Sequence, residues 1–218
     1  AQLAEEVGLH TITTALLAVT GPAFTPVRIG EHPGSVGLPG LRWYDRARSA
    51  CSWPSYARSY IGPQCRYLDR DLADDAETMF ELCDSSIGAL SVIRRGLEPS
   101  RQLGSGAAFV ARTAVTHFRG RVSGRLALAR HIGARFVQRV RDESPEFAFA
   151  AFTGIDKASH AFGHDSPLVH ESMRVVDDIC RRIRSDAERA GRWDSTHLWI
   201  VSDHGHSPVG THEDLAGV

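Results

Sequence analysis

Two short apolar runs, Phe147 to Thr153 and His197 to Ser202, each break into a cluster of acids and histidines, and one long amphipathic segment separates them. A run that is apolar at nearly every position has to be covered on both faces, which is the condition of a strand in a parallel sheet packed between helices. The segment from Pro167 to about Ala190 predicts the connecting helix. Ser166 stands at its N-cap and Pro167 in its first turn; Val169, Met173, Val176, Cys180 and Ile183 form the stripe, and Gly191 is the stop. The expected fold class is therefore α/β, a mostly parallel sheet with helices on both faces.

The rest of the chain fits that plan. Leu16 to Thr20 reads as a short strand or its end, Asp75 to Cys83 as a helix and Ile87 to Ile93 as a strand, while Gly106 to Val110 is ambiguous. From Arg125 to Arg141, Leu128, Ile132, Phe136 and Val140 recur every fourth position, so an amphipathic helix is expected. The stretch from His32 to Pro63 is rich in Gly, Pro, Arg and aromatics without a period, and is expected to be ordered but irregular beside the site. No linker divides the chain, so residues 1–218 read as a single catalytic domain. Both ends read as cut, Ala1 to Gly8 as the end of a helix with Gly8 as its stop.

With 42% hydrophobic residues in 218, there is material for a core, and disorder is excluded. The 25 basic and 26 acidic residues leave a net charge of −1, so no global field draws the chain to nucleic acid or an anionic membrane. The arginines of the 125–141 segment read as a solvated face, because no aromatic residues interleave them. No apolar stretch reaches the roughly 18–20 residues of a membrane span. The compartment stays open. Cys51, Cys65, Cys83 and Cys180 form no CxxC pair, and a Cys51–Cys65 bridge stands level with free thiols.

The chemistry lies at the strand ends. Asp156 and His160 follow the first run and Asp203 and His204 the second, with His206 and His212 just beyond. Ligands in open parallel sheets bind outside the carboxyl ends of the strands, so the two clusters are expected to converge. Asp and His four apart can turn onto one cation from a tight loop, and the adjacent Asp-His pair onto a second. Mixed nitrogen and oxygen donors suit zinc first, with manganese or iron possible. Taken singly, His164 and His206 read as non-ligands.

Asp156 to Gly163, then Ser202-Asp203-His204-Gly205 and a downstream histidine, resemble the metal-binding pattern of the alkaline phosphatase superfamily, in particular its type I phosphodiesterase/nucleotide pyrophosphatase branch. Val19-Thr20-Gly21-Pro22-Ala23-Phe24, with His32-Pro33-Gly34 after it, is similar to that branch's nucleophile segment. Spacing alone leaves Thr20 and Thr25 level; the resemblance puts the nucleophile at Thr20. It implies two divalent metal ions, one held by Asp156, His160 and His212 and the other by Asp203, His204 and Thr20. It also implies metal-dependent hydrolysis of a small phosphate ester, monoester or diester. Whether His206 takes the place of His212 is open.

Two departures accompany the resemblance. The family's further metal-binding Asp would lie upstream of Ala1, so the chain as given is expected to be weak or inactive. Leu41 stands where the nucleotide pyrophosphatases carry a phosphate-contacting Asn, which leaves Arg42 as a candidate substrate-binding residue. A non-catalytic member of the fold and a sulfatase or phosphoglycerate mutase relative are the alternatives.

Overall fold

The computed structural model describes residues 2–16, 18–45, 57–106, 109 and 122–211. Helix α1, Gln2–Val7, ends at Gly8, whose φ of 80° is the left-handed turn the sequence predicts there. A turn over residues 19–23 leads into α2, Phe24–Ile29. Strands β1, Arg42–Tyr44, and β2, Ala57–Ser59, pair antiparallel, and α3 spans Leu68–Asp71. Then come β3, Ser86–Ala89, β4, Gln102–Leu103, and α4, Val122–Glu143. The chain continues through β5, Phe147–Ala150, α5, Gly154–Phe162, and α6, Pro167–Arg189.

The parallel sheet has the order β4-β3-β5, with Ser86 opposite Phe147 and Gly88 opposite Gln102. Every residue of central β3 is buried. β5 is only half-buried along its length, although its apolar run predicts full cover. The reason is position: β5 has a ladder partner on one side only, among the described residues. Its alternation is informative. Ala148 and Ala150 pack toward the cluster of Ile87, Leu126, Ile132, Phe136, Val137, Val175 and Ile179, which joins the sheet to α4 and α6. Phe147 points to the other face, where its ring lies 5.5 Å from Phe80, and the Arg28 guanidinium of α2 lies 4.2 Å from the Phe149 ring.

Helices α4 and α6 stand where the periodicity predicts them. Gly133 lets them close together, since a Cβ there would sit 2.3 Å from Ile179 Cδ1. The stripe of α6 is rotated from its expected course: Ser172, Val175 and Ile179 are buried and Met173 is exposed. Ser166 has the extended backbone of an N-cap but makes no side-chain capping bond. On α4, Arg130 is exposed and pairs with Glu171, and the partly buried Arg139 pairs with Glu143.

Three expected elements differ. Residues 16 and 18–20 carry bends and a turn instead of a strand, with Leu16 exposed. Residues 75–83 form turns instead of a helix, because Thr78 Oγ1 donates to the Arg95 carbonyl at 2.7 Å and Glu81 Oε2 accepts from the Thr78 amide at 2.8 Å. Those bonds fasten the segment to a neighbouring loop and compete with a helical ladder. Residues 197–202 carry no strand pairing, and Trp199 is 83% exposed. An apolar run becomes a strand only when a neighbour takes its ladder bonds. The predicted strand at 87–93 is shorter, stopping at Ala89 before Leu90, whose φ is 57°. Cys65, Cys83 and Cys180 are free thiols, while Cys51 and most of 106–110 lie outside the described residues.

A second cluster, Val36, Leu38, Tyr60, Leu68, Leu72, Ala76 and Ile93, lies under the 32–63 stretch. Beside it Arg58 and Asp71 form an ion pair with both side chains 1% exposed. Tyr60 shares a 2.8 Å hydrogen bond with Thr25. Burial pushes its hydroxyl up to about 12, against the opposing pulls of the Thr25 hydrogen bond and the Arg28 charge.

The raised Tyr60 value fixes a sign. The unfolded chain ionises this phenol near pH 10 while the folded chain keeps its proton, so the stability that Tyr60 contributes is complete below pH 10 and lost on rising toward 12. Urea titrations of the wild type and Tyr60→Phe are expected to converge over that window by about 2–3 kcal/mol. A difference independent of pH would contradict the shift.

Candidate active site

Three segments converge on one cluster. Thr20 comes from the turn before α2, Asp156, Lys157 and His160 from α5, and Asp203 and His204 from the loop after residue 201. The turn is held by the Ala23 amide on the Val19 carbonyl at 3.2 Å and the Phe24 amide on Gly21 at 3.0 Å. Gly21 has φ 116°, and a Cβ there would lie 2.8 Å from Tyr60 Cγ, so the residue after Thr20 rests directly on the Tyr60 ring. Only glycine has both that conformation and that room.

Asp156 and His160 sit one turn apart on α5, not in the tight loop expected from the sequence. The helix begins immediately after the strand β5, so spacing i, i+4 places both side chains on one face. Gly163, φ 84°, ends it with its amide on the Ser159 carbonyl at 2.9 Å. Across the cleft, Ser202 Oγ donates to the His204 carbonyl at 2.6 Å and folds the Ser202-Asp203-His204 bend.

His204 is the hub. Its Nδ1–H donates to the Gly205 carbonyl at 2.9 Å, which leaves a lone pair on Nε2. The Thr20 hydroxyl donates to that nitrogen at 3.1 Å. The same Nε2 lies 3.5 Å from Asp203 Oδ2 and 4.0 Å from Asp156 Oδ1. His160 Nε2 is 3.2 Å from Asp156 Oδ1 but out of hydrogen-bonding alignment. Asp156 Oδ1 and Asp203 Oδ2 are consequently buried oxygens without a hydrogen-bond donor.

Such orphaned acceptors are costly unless a cation or donor satisfies them. Among the described residues no three His, Cys, Asp or Glu side chains are already spread into a coordination geometry. The donors are gathered but closed upon one another. Their chemistry, two carboxylates and two imidazoles with an inward-facing lone pair, nonetheless fits a divalent ion that accepts nitrogen and oxygen.

The Asp156 carboxyl is held below the usual carboxylate range. Burial pushes it up, but the Lys157 hydrogen bond and charge, with His160 and His204, outweigh that. Lys157 Nζ donates to Asp156 Oδ2 at 2.9 Å, leaving Oδ1 to face the cluster. The His206 ring stands edge-on to His160, centroids 5.0 Å apart.

Of the residues singled out in the sequence, Thr20, Asp156, His160, Asp203 and His204 are brought together. Arg42 is exposed on β1 and makes no hydrogen bond or ion pair with them. His212 lies outside the described residues. Thr25, level with Thr20 by spacing, is buried and bonded to Tyr60. Lys157 was not among the sequence candidates, though one signal was visible: it is the single lysine among 25 basic residues.

The family model of type I phosphodiesterase / nucleotide pyrophosphatase matches residues 2–216. The chain belongs to that family. Its members are phosphoester hydrolases, and the mixed α/β fold with a parallel sheet is consistent with theirs. No curated protein matches the chain. No helix among the described residues of this family member is long and apolar enough to cross a membrane.

The contact between Gly21 and Tyr60 is testable without substrate. Gly21→Ala forces a left-handed alanine against an aromatic ring, at a cost of about 1–3 kcal/mol. The expected reading is a lower urea midpoint with unchanged slope. An unaltered midpoint would mean that the turn before α2 is not braced in this way.

Proposed function

We propose that this chain is the metal-dependent catalytic unit of a phosphoester hydrolase, with Thr20 as nucleophile and two divalent cations, zinc first. The reading is carried by one observation: the Thr20 hydroxyl meets the lone pair of His204 in a cluster where Asp156 and Asp203 each keep a buried oxygen without a donor. Family membership supports the reaction class. The donor set supports the metal.

Asp156 and His160, with His212 as the resemblance implies, would hold one ion, and Asp203, His204 and Thr20 the other. Bound there, the ions would supply Lewis-acid charge to the phosphoryl oxygens and lower the pKa of a hydroxyl beside them. The remaining work belongs to the chain's own residues. The turn over residues 19–23 aims Thr20 Oγ at phosphorus, and as the Oγ–P bond forms the hydroxyl gives its proton to solvent water, which supplies one to the leaving oxygen. The opposite P–O bond breaks and the leaving alcohol departs with a proton. Water then attacks the phosphothreonine, returns the hydrogen to Thr20 Oγ and releases the phosphate product. Asp156, already ionised and braced by Lys157, needs no proton loss before receiving a cation.

Zinc-supplemented assays of the full-length protein on a chromogenic diester and the matching monoester test the activity and its preference. Thr20→Ala is expected to keep bound metal and lose turnover by about a thousandfold or more. Asp203→Ala and His160→Ala are expected to lose metal and turnover together, metal being read by equilibrium dialysis. Normal turnover in Thr20→Ala would sink the nucleophile assignment. Full metal occupancy in both other variants would sink the ligand set.

A further inference from the structure

We propose that Arg28 is a positioning residue for the candidate site, holding the Thr20 turn in register with the segment that carries Asp156. The kinetic consequence rests on the phosphoester reading; the structural one does not.

The argument begins with a buried cation that stability does not explain. Arg28 is 2% exposed and its Nε has no partner. Its guanidinium donates to the Ser91 hydroxyl and, at 2.9 Å, to the Ile93 carbonyl, neither of them a counter-charge. A charge buried on such terms is weak evidence of stabilisation, because an apolar side chain of similar length would pack on the same rings without the desolvation. Enclosure also keeps it from substrate. What the guanidinium adds is direction. Its planar fork spans two acceptors while its faces lie 4.4 Å from the Phe80 ring and 4.2 Å from the Phe149 ring, so contacts on several sides set the orientation of α2.

Those contacts lead to the cluster from two directions. Phe149 belongs to β5, which runs into α5 and Asp156. Ser91 and Ile93 lie in the loop beyond β3, the strand paired in parallel with β5, so Arg28 meets the carboxyl ends of both. Backward from Arg28, α2 leads to the turn over residues 19–23, where the Ala23 and Phe24 amides close on Val19 and Gly21. The Arg28 carbonyl accepts the Met79 amide at 3.0 Å, so the main chain is tied at the same residue. Without the guanidinium, α2 keeps its packing but loses its directional bonds to the β3 loop, and Thr20 Oγ loses its fixed distance from Asp156. The Ile93 carbonyl would not be orphaned, since the Ser91 hydroxyl also donates to it. Arg28→Met is therefore expected to fold.

The test compares the full-length wild type with Arg28→Met and with Phe149→Leu, which removes one stacking face and leaves both hydrogen bonds. Zinc-supplemented turnover of the chromogenic ester gives kcat and KM, and equilibrium dialysis gives the zinc content. Hydrogen exchange of the zinc-free protein reads the protection of the Ala23 and Phe24 amides. Arg28→Met is expected to lower kcat about a hundredfold, with KM within about threefold and zinc retained, because a small misplacement of the reacting group acts on the transition state. The Ala23 and Phe24 amides are expected to exchange about tenfold faster while those of β3 are unchanged. Phe149→Leu is expected to act in the same direction, about tenfold in kcat, and carries the test should Arg28→Met not fold. Unchanged kcat in the folded, zinc-loaded variants would overturn the positioning role and leave the hydrolase reading standing. Faster exchange throughout β3 as well would also overturn it, showing a general stabiliser. If the wild type turned over no ester, the hydrolase reading would fall, and unchanged exchange at Ala23 and Phe24 would still overturn the hold of Arg28 on the turn.

Discussion

The Arg28 guanidinium ties the two halves of the molecule to each other. It projects from α2, immediately after the Thr20 turn, and lies 4.4 Å from the Phe80 ring and 4.2 Å from the Phe149 ring. Phe149 belongs to β5, and β5 runs directly into α5 with Asp156. One buried side chain thus fixes the distance between the segment that carries the hydroxyl and the segment that carries the carboxylate. Burial depresses its pKa to about 10, still far enough above neutral pH that it remains a cation there. Its two carbonyl and hydroxyl acceptors and two aromatic faces offset part of the desolvation, while its Nε stays without a partner.

A second consequence of the same architecture is electrostatic. Asp156 lies where burial disfavours charge, yet its carboxyl is held below the usual range by Lys157 on its outer oxygen together with His160 and His204. Each oxygen of that carboxylate has a different neighbourhood. The outer one is satisfied by a side chain that solvent can still reach, and the inner one is saved for the interior. Dividing the two tasks between two atoms lets one residue be both stable in the resting protein and available to a cation.

How far the sequence carries depends on the range of the forces involved. Helices α4 and α6 were legible because each repeats its apolar residues over many turns, and the site clusters because Asp-x3-His and Ser-Asp-His-Gly are local. The strand expected at 197–202 and the helix expected at 75–83 rested on short apolar runs, whose state is decided by distant partners. In one case no neighbour among the described residues takes the ladder, and in the other Arg95 claims Thr78. Convergence of Thr20 with Asp156, His160, Asp203 and His204 was expected, but α5 as the platform of Asp156 and His160 was not. Arg28 left no trace at all: one arginine among many, its role set by two phenylalanines far along the chain.

The notch at Gly133 has its own implication. Ile179 fills the space that a side chain at 133 would need, so the two positions share one volume. Neither residue has an independent size limit. A methyl group gained on α4 and one surrendered on α6 are two halves of a single exchange, and their effects would not sum as separate changes do. The seam between the long helices is therefore better described as a fixed total than as two residues, and drift in this chain would follow that total.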